Sequence, residues 1–361
     1  MISVYLHIPF CKQKCNYCSF YSLTDFDKEE YISAIIRCVE YWGKKTKQKA
    51  DTVYIGGGTP SVLPPKLICR LLESVYDNFT VESGAEITIE ANPESCDKEF
   101  LTAARSCGIN RLSLGIQSFC DAELAAAGRL HTAADARQAV SRARELGFDN
   151  ISCDLIFGLP LQTCDSFCHS IDTLVGLDIE HISCYNLQVE DGTPFARSKI
   201  SLPCESEQEK MYYLACNILE SAGYSHYEIS NYAKPGFESR HNSAYWTGKD
   251  YLGLGPAAHS KIADTRYSYA ADACGFVSKT DFEIDTAEKI EDAFFEKIML
   301  SLRTSKGLEL SRLCRSGEFI NRLCKEGLAK TENGVLRLTD RGFYLSNSII
   351  TDISLLEENS N

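Results

Sequence analysis

Short runs dense in β-branched and aromatic residues alternate along the first two-thirds of the chain with longer stretches in which apolar residues recur every three or four positions. The short runs, at residues 3–8, 52–55, 86–90, 111–116, 150–156 and 181–187, predict strands. The stretches 28–42, 66–76, 97–107, 133–146 and 165–174 predict amphipathic helices. Strand and helix repeated in this way predict an α/β fold with a parallel sheet and helices outside, because parallel neighbours need a crossover connection. Six units predict an incomplete parallel (β/α)6 barrel; a flat doubly wound sheet fits the same alternation. Cys11, Gly56-Gly57-Gly58, Glu90, Gln117 and Asp154 all fall at or near the carboxyl ends of these strands, where parallel folds assemble their sites.

The pattern breaks at residues 232–259, rich in Gly, Pro and aromatics, which reads as a connection or lid. Beyond it, 288–302 and 318–326 predict helices, and Asn333-Gly334 between β-like arms predicts a hairpin, so a small, mostly helical domain of winged-helix shape is expected. The division predicted is 1–235 for the core and 236–361 for the C-terminal domain, with acidic and basic residues nearly balanced in its last part. Packing or gating therefore suits it better than DNA binding.

The 361 residues are 44% hydrophobic and 24% charged, as in ordinary globular proteins. No run approaches the ~18 apolar residues of a membrane span, and the start MISVYLHIPF lacks an export pattern, so a cytoplasmic location is expected. A net charge of −13 argues against a nucleic-acid partner, and the basic run at Lys44, Lys45, Lys47 and Lys49 reads as a solvated turn. Most of the 17 cysteines read as reduced, buried small hydrophobes, among them Cys38, Cys69, Cys107, Cys153, Cys184, Cys216, Cys314 and Cys324.

Cys11, Cys15 and Cys18 are different. Three soft ligands within one short loop can hold three irons of a cubane cluster and leave the fourth open. Zinc in a structural site usually takes four protein ligands, and no second pair follows at finger spacing. Gly56-Gly57-Gly58-Thr59-Pro60 lets backbone approach a ligand closely, yet it is neither a phosphate-binding P-loop nor a dinucleotide fingerprint. Glu90 and Asp154 end or lie in apolar strands and need a cation or hydrogen-bond donors. Paired acids can serve hydrolysis; an amino group and ribose hydroxyls would satisfy them equally well.

The ordered set CxxxCxxC, GGGTP, ExNP, GxQSF and DLIFGLP resembles the radical S-adenosylmethionine (SAM) superfamily, in its oxygen-independent coproporphyrinogen oxidase-like branch. The resemblance implies a [4Fe-4S] cluster on Cys11, Cys15 and Cys18, its open iron chelated by SAM. It implies that Tyr5 and the backbone near Tyr17 flank the cofactor, that Gly57, Gly58 and Thr59 meet its methionine part, and that Glu90, Gln117, Arg129 and Asp154 complete the pocket. The chemistry implied is one-electron cleavage of SAM to methionine and a 5′-deoxyadenosyl radical. Within the branch, coproporphyrinogen dehydrogenases continue the cluster motif as Cys-x-Cys behind a long N-terminal extension, whereas this chain reads Cys18-Ser19-Phe20 and begins ten residues before Cys11. Both departures, and the match of residues 241–246 to HNxxYW, resemble the heme chaperones of the branch. That resemblance implies binding of heme and its delivery to acceptor hemoproteins, such as respiratory ones, with His241 as a candidate heme ligand beside Tyr245, Trp246 and Tyr251. His226, His259 and several cysteines are alternative ligands, and a lone histidine in a loop more often makes a hydrogen bond. A coproporphyrinogen III dehydrogenase, or another radical SAM enzyme acting on a tetrapyrrole, is the alternative function.

Overall fold

Strand β1 (Ile2–Ile8) alternates Val4, Leu6 and Ile8 with Ser3, Tyr5 and His7, and the apolar set is wholly buried. Successive side chains of a strand point to opposite faces, so one face packs under helices and the other turns inward. The computed structural model, which describes residues 1–358, repeats this design in β2 (Ala50–Gly57), β3 (Val81–Ala91), β4 (Arg111–Gln117), β5 (Ile151–Phe157) and β6 (His181–Asn186). These strands pair in parallel and in chain order. On the outer face, Val53, Ile55, Ile89, Leu112, Leu114, Ile151, Leu155 and Ile182 are fully buried, each stabilising the fold by about 1.5–3 kcal/mol relative to exposure.

The helices over that face begin where the sequence supplies caps. Asp27 accepts from the amide of Glu30 and Asp97 from that of Phe100, and capping boxes at Thr132 and Thr163 start Ala133–Glu145 and Cys164–Gly176. Lys44 and Lys45 occupy the last turn of Lys28–Lys45, where positive charge complements the helix dipole. Cys38, Cys153, Cys184 and Cys216 are buried, whereas Cys69, Cys107 and Cys324 are half-buried and Cys314 is exposed, contrary to expectation. No helix among the described residues is long and apolar enough to cross a membrane.

Among the described residues β6 does not pair back to β1, so the ring stays incomplete. Beyond β6 the sheet continues with β8 (Asn231–Ala233) and β7 (Ser225–Glu228), both antiparallel additions. On the other side β9 (Tyr251–Leu254) joins β1 in parallel, followed by β10 (His259–Ile262), β11 (Thr265–Ser268) and β12 (Thr286–Lys289). The sheet thus runs through the division expected at residue 235. The reason is local: β9, read as irregular for its glycines, buries Leu252 and Leu254 and covers the β1 edge, which would otherwise expose unpaired backbone. A separate three-stranded sheet, β13 (Leu308–Glu309), β15 (Val335–Leu338) and β14 (Ala329–Glu332), stands with helices Ala293–Leu302 and Gly317–Lys325 in the expected winged-helix arrangement. Residues 359–361 of the expected C-terminal domain lie outside the described residues.

The segment read as a lid forms the floor of the barrel instead. Ser239 caps the helix Arg240–Trp246, and the buried carboxylate of Glu86 accepts from the amides of Arg240 (3.0 Å) and His241 (2.9 Å). The His241 ring lies 2.8 Å from Thr52 Oγ1 through Nδ1 and 2.9 Å from the Tyr245 hydroxyl through Nε2. Thr52, near the amino end of β2, pairs with Glu86 midway along β3, on the side away from Cys11. Burial holds the His241 pKa down at about 3, so the ring is neutral. We expect Thr52→Val and His241→Ala each to lower unfolding free energy by about 1–3 kcal/mol. In chemical denaturation the double variant should lose less than their sum by about 0.5–2 kcal/mol; strict additivity would show that the bond does not support the floor.

Candidate functional site

The loop after β1 is closed at its base by Cys11 N to Leu23 O (2.9 Å) and Leu23 N to Pro9 O (2.6 Å). A turn from Cys15 O to Cys18 N folds the motif back on itself, and Asn16 anchors it to the carbonyls of Ala126 and Ala127. Cys11, Cys15 and Cys18 are therefore held half-buried at the wall of one cavity of about 430 Å³ at the carboxyl ends of the strands. Donors face two of the sulfurs: Thr59 Oγ1 stands 3.6 Å from Cys11 Sγ, and a guanidinium nitrogen of Arg129 3.5 Å from Cys15 Sγ. Three thiols gathered with hydrogen-bond donors behind them suit a sulfur-ligated iron cluster with one open position.

The same cavity is lined by Tyr17, Gly57, Gly58, Thr59, Glu90, Gln117, Arg129 and Asp154, so the structure assembles nearly all of the residues chosen from sequence. Glu90 receives the Tyr54 hydroxyl (2.7 Å) on one oxygen and the Gly57 amide (2.9 Å) on the other. Burial nevertheless pushes its pKa up to about 7, those donors and Arg111 opposing the shift and Asp154 adding to it. Burial also raises the Asp154 carboxyl, against a hydrogen bond from Ser183 and the charges of Arg111 and Arg129. Both acids thus lack a full countercharge within the chain, which a cationic ligand would supply.

The glycines serve the chain as well as a ligand. A Cβ on Gly56 would sit 2.7 Å from the Glu90 carboxyl carbon, and one on Gly58 would sit 2.7 Å from Phe10 O. That closeness is needed because Gly58 N and Thr59 N donate to Ile8 O and Phe10 O, tying the β2 end to the cysteine loop. Gly57 has φ of +115°, which only glycine adopts readily. Arg129 reaches the Gly115 carbonyl and, at 2.8 Å, Asn92 Oδ1. Burial opposes its charge, but Tyr17, Cys15 and Glu94 around it more than offset that, so it stays protonated. Gln117 stands at a strand irregularity with φ of +70°, and its Oε1 is buried without a partner, as is Arg129 Nε. These unpartnered atoms and acids fit the amino, carboxylate and hydroxyl groups of SAM.

Two residues chosen from sequence lie elsewhere. Tyr5 is inside the barrel below the cavity, its hydroxyl 3.0 Å from His7 Nδ1, and does not line it. His241 is 1% exposed at the floor with both ring nitrogens engaged, so in this structure it has no nitrogen to give an iron. Sequence reasoning passed over Arg111, whose guanidinium is wholly buried inside the barrel with Nε unpartnered, and Asn92, which bridges Arg129 and Thr59. The polar alternation Arg111, Ser113, Gly115, Gln117 along β4 was the available signal for the first.

Residues 5–174 match the model of the Radical SAM superfamily. Heme chaperone HemW of Bacillus subtilis is 35% identical, the match covering 97% of this chain and 98% of that protein. Heme chaperone HemW of Lactococcus lactis is 33% identical over 96% of each. Among solved structures, coproporphyrinogen III oxidase (HemN) from Escherichia coli superposes with a TM-score of 0.84 over 98% of this chain and 89% of that one, at 23% identity, which shows the shared fold. With its site at the carboxyl ends of the barrel strands and full-length relatives above 30% identity, the chain belongs to the HemW family of the radical SAM superfamily.

Proposed function

We propose that this protein is a heme chaperone of the cytoplasm, binding heme and passing it to acceptor hemoproteins, on a core that holds a [4Fe-4S] cluster and SAM. The observation that carries the reading is the match to heme chaperones along almost the entire chain, C-terminal unit included. In it, Cys11, Cys15 and Cys18 hold the cluster and leave one iron for SAM, whose bound pair supplies one-electron cleavage of the sulfonium. Gly57, Gly58 and Thr59 receive the methionine end, while Gln117, Arg129 and Asp154 orient the polar groups. Glu90 fixes the ends of β2 and β3 and offers its charge to the cationic cofactor.

Exposed apolar groups accompany this polar cavity: Phe20, 69% exposed, and Tyr185 of β6 line it, and Leu130, Leu161 and Val189 are exposed on segments beyond the strands. Leu161 is held outward at φ +68° by a loop in which Gln162 bonds Gly158, Leu159 and Ile156. Exposed rigid apolar groups around a polar opening suit the face of a flat macrocycle, and Lys14 at the same opening suits its carboxylates.

Anaerobic reconstitution is expected to yield about four irons and four sulfides per chain, and Cys11→Ala/Cys15→Ala/Cys18→Ala should retain none; zinc with three sulfur neighbours in place of the iron would reject the cluster. SAM affinity should rise with pH between about pH 6 and 8 as Glu90 loses its proton, by up to one proton released per SAM bound. Isothermal titration of Glu90→Gln should show weaker binding with that pH dependence gone, while cluster content stays normal. The function itself is tested by adding heme and coproporphyrinogen III separately to the loaded protein with SAM and a strong reductant under anaerobic conditions. Heme should bind stoichiometrically and no protoporphyrinogen should form; robust decarboxylation would establish the dehydrogenase instead.

A further inference from the structure

Away from the cavity, a sulfur, a nitrogen and an oxygen ligand meet where the outer layer of the barrel touches the C-terminal unit. Cys216 projects from the helix Glu205–Ser221, His226 from β7, and Asp340 opens the helix Asp340–Tyr344. One ligand atom from each lies within 4.8 Å of the others. From the sequence alone Cys216 reads only as a small buried hydrophobe.

We propose that Cys216, His226 and Asp340 bind one divalent cation of the zinc type, which ties the C-terminal unit to the barrel. Thiolate, imidazole and carboxylate are the donor types zinc selects, and three of them leave a fourth position for water. The His226 ring is fixed before any ion arrives, stacked on Tyr232 at 4.2 Å and edge-packed on Phe343 at 5.0 Å. His226 Nδ1 lies 2.8 Å from Asp340 Oδ1, and no lysine or arginine among the described residues forms an ion pair with Asp340. That contact accounts for two of the three groups; the thiol beside them, 3.2 Å from the Tyr232 hydroxyl, is what an imidazole–carboxylate pair alone has no use for. The Asp340 side chain is 41% exposed and gives an ion its way in, while Cys216 is 4% exposed. Binding releases the thiol proton to solvent, so a dipositive ion meets one thiolate and one carboxylate and the site becomes neutral. The consequence is mechanical: two barrel elements and the start of a C-terminal helix share one ion, beside the bond from the Tyr212 hydroxyl to the Asp340 carbonyl.

The test uses protein with its cluster in place, so that Cys11, Cys15 and Cys18 are occupied. After dialysis against buffered zinc chloride and desalting, elemental analysis should find about one zinc per chain, and X-ray absorption at the zinc edge one sulfur neighbour at about 2.3 Å. Cys216→Ser should lose the sulfur signal, and Asp340→Asn, a same-sized change at a partly exposed position, should weaken zinc binding at least tenfold. Cys204→Ser, which removes the exposed thiol at the start of the same helix, should change neither. No retained zinc, zinc without a sulfur neighbour, or undiminished affinity in Asp340→Asn would overturn the site.

Discussion

A barrel wall that turns a polar face inward must satisfy that face without bulk water, and this requirement organises the molecule. Paired positions run around the inner wall: Tyr5 beside Tyr54, Tyr54 beside Thr88, Glu90 beside Ser113, Gly115 beside Asp154, and Asp154 beside Ser183. Thr88 among them, and Ser3, Ser152 and His181 elsewhere on the strands, are essentially inaccessible. Buried polar groups without partners cost free energy; His181 is paired with Ser152 and Tyr227, whereas Ser3 Oγ, Thr88 Oγ1 and Arg111 Nε lack a partner. Toward the mouth such groups face the cavity itself. There Gln117 Oε1 and Arg129 Nε lack partners and the carboxylates of Glu90 and Asp154 are only partly compensated, so the cavity's appetite for a polar, cationic ligand follows from the wall itself.

The cysteine loop depends on the same wall. Its position is fixed from three sides, by the end of β2 through Gly58 and Thr59, by the stretch before Arg129 through Asn16, and by Phe195 N on Asn16 O. Arg129 then serves two purposes with one guanidinium, reaching Cys15 on the loop and Asn92 on the β3 side. Loss of that side chain would loosen the loop and the cofactor pocket together. The glycine triplet belongs to this arrangement, since a side chain at Gly56 would displace Glu90 and one at Gly58 would push β2 away from the loop.

Much of this was legible in the sequence because it is local. Six strand–helix units, the caps, the cysteine spacing and the strand-end acids each leave a signature within a few residues. Long-range features left weaker traces. The floor helix was hidden because Arg240–Trp246 is short, follows Lys-Pro-Gly and takes its main support from Glu86, over 150 residues away. Strand β9 was hidden because four residues, Gly253 among them, carry no visible period, and only the open edge of β1 makes them a strand. Tyr5 and Arg111 show the same limit from the other side. Alternation places both on the inner face, but depth along the barrel, which decides whether a residue meets the cofactor or supports it from below, depends on register that a sequence does not display.

The HNxxYW segment can therefore be placed by its contacts rather than by its composition. Tyr54 donates to Glu90 at the mouth while its ring lies 5.0 Å from that of His241 at the floor, and Tyr5 stands beside both. Glu90 and His241 are thus separated by one aromatic layer, and neither can shift without moving Tyr54 or leaving a void in a packed interior. A histidine with both nitrogens bonded at the base of such a stack acts first as a strut: it sets the height of Tyr54, Tyr54 sets the Glu90 carboxylate, and Glu90 presents its charge to the cavity. Any contact between His241 and a heme iron would require that stack to open, and the cofactor pocket would lose its support in the same motion.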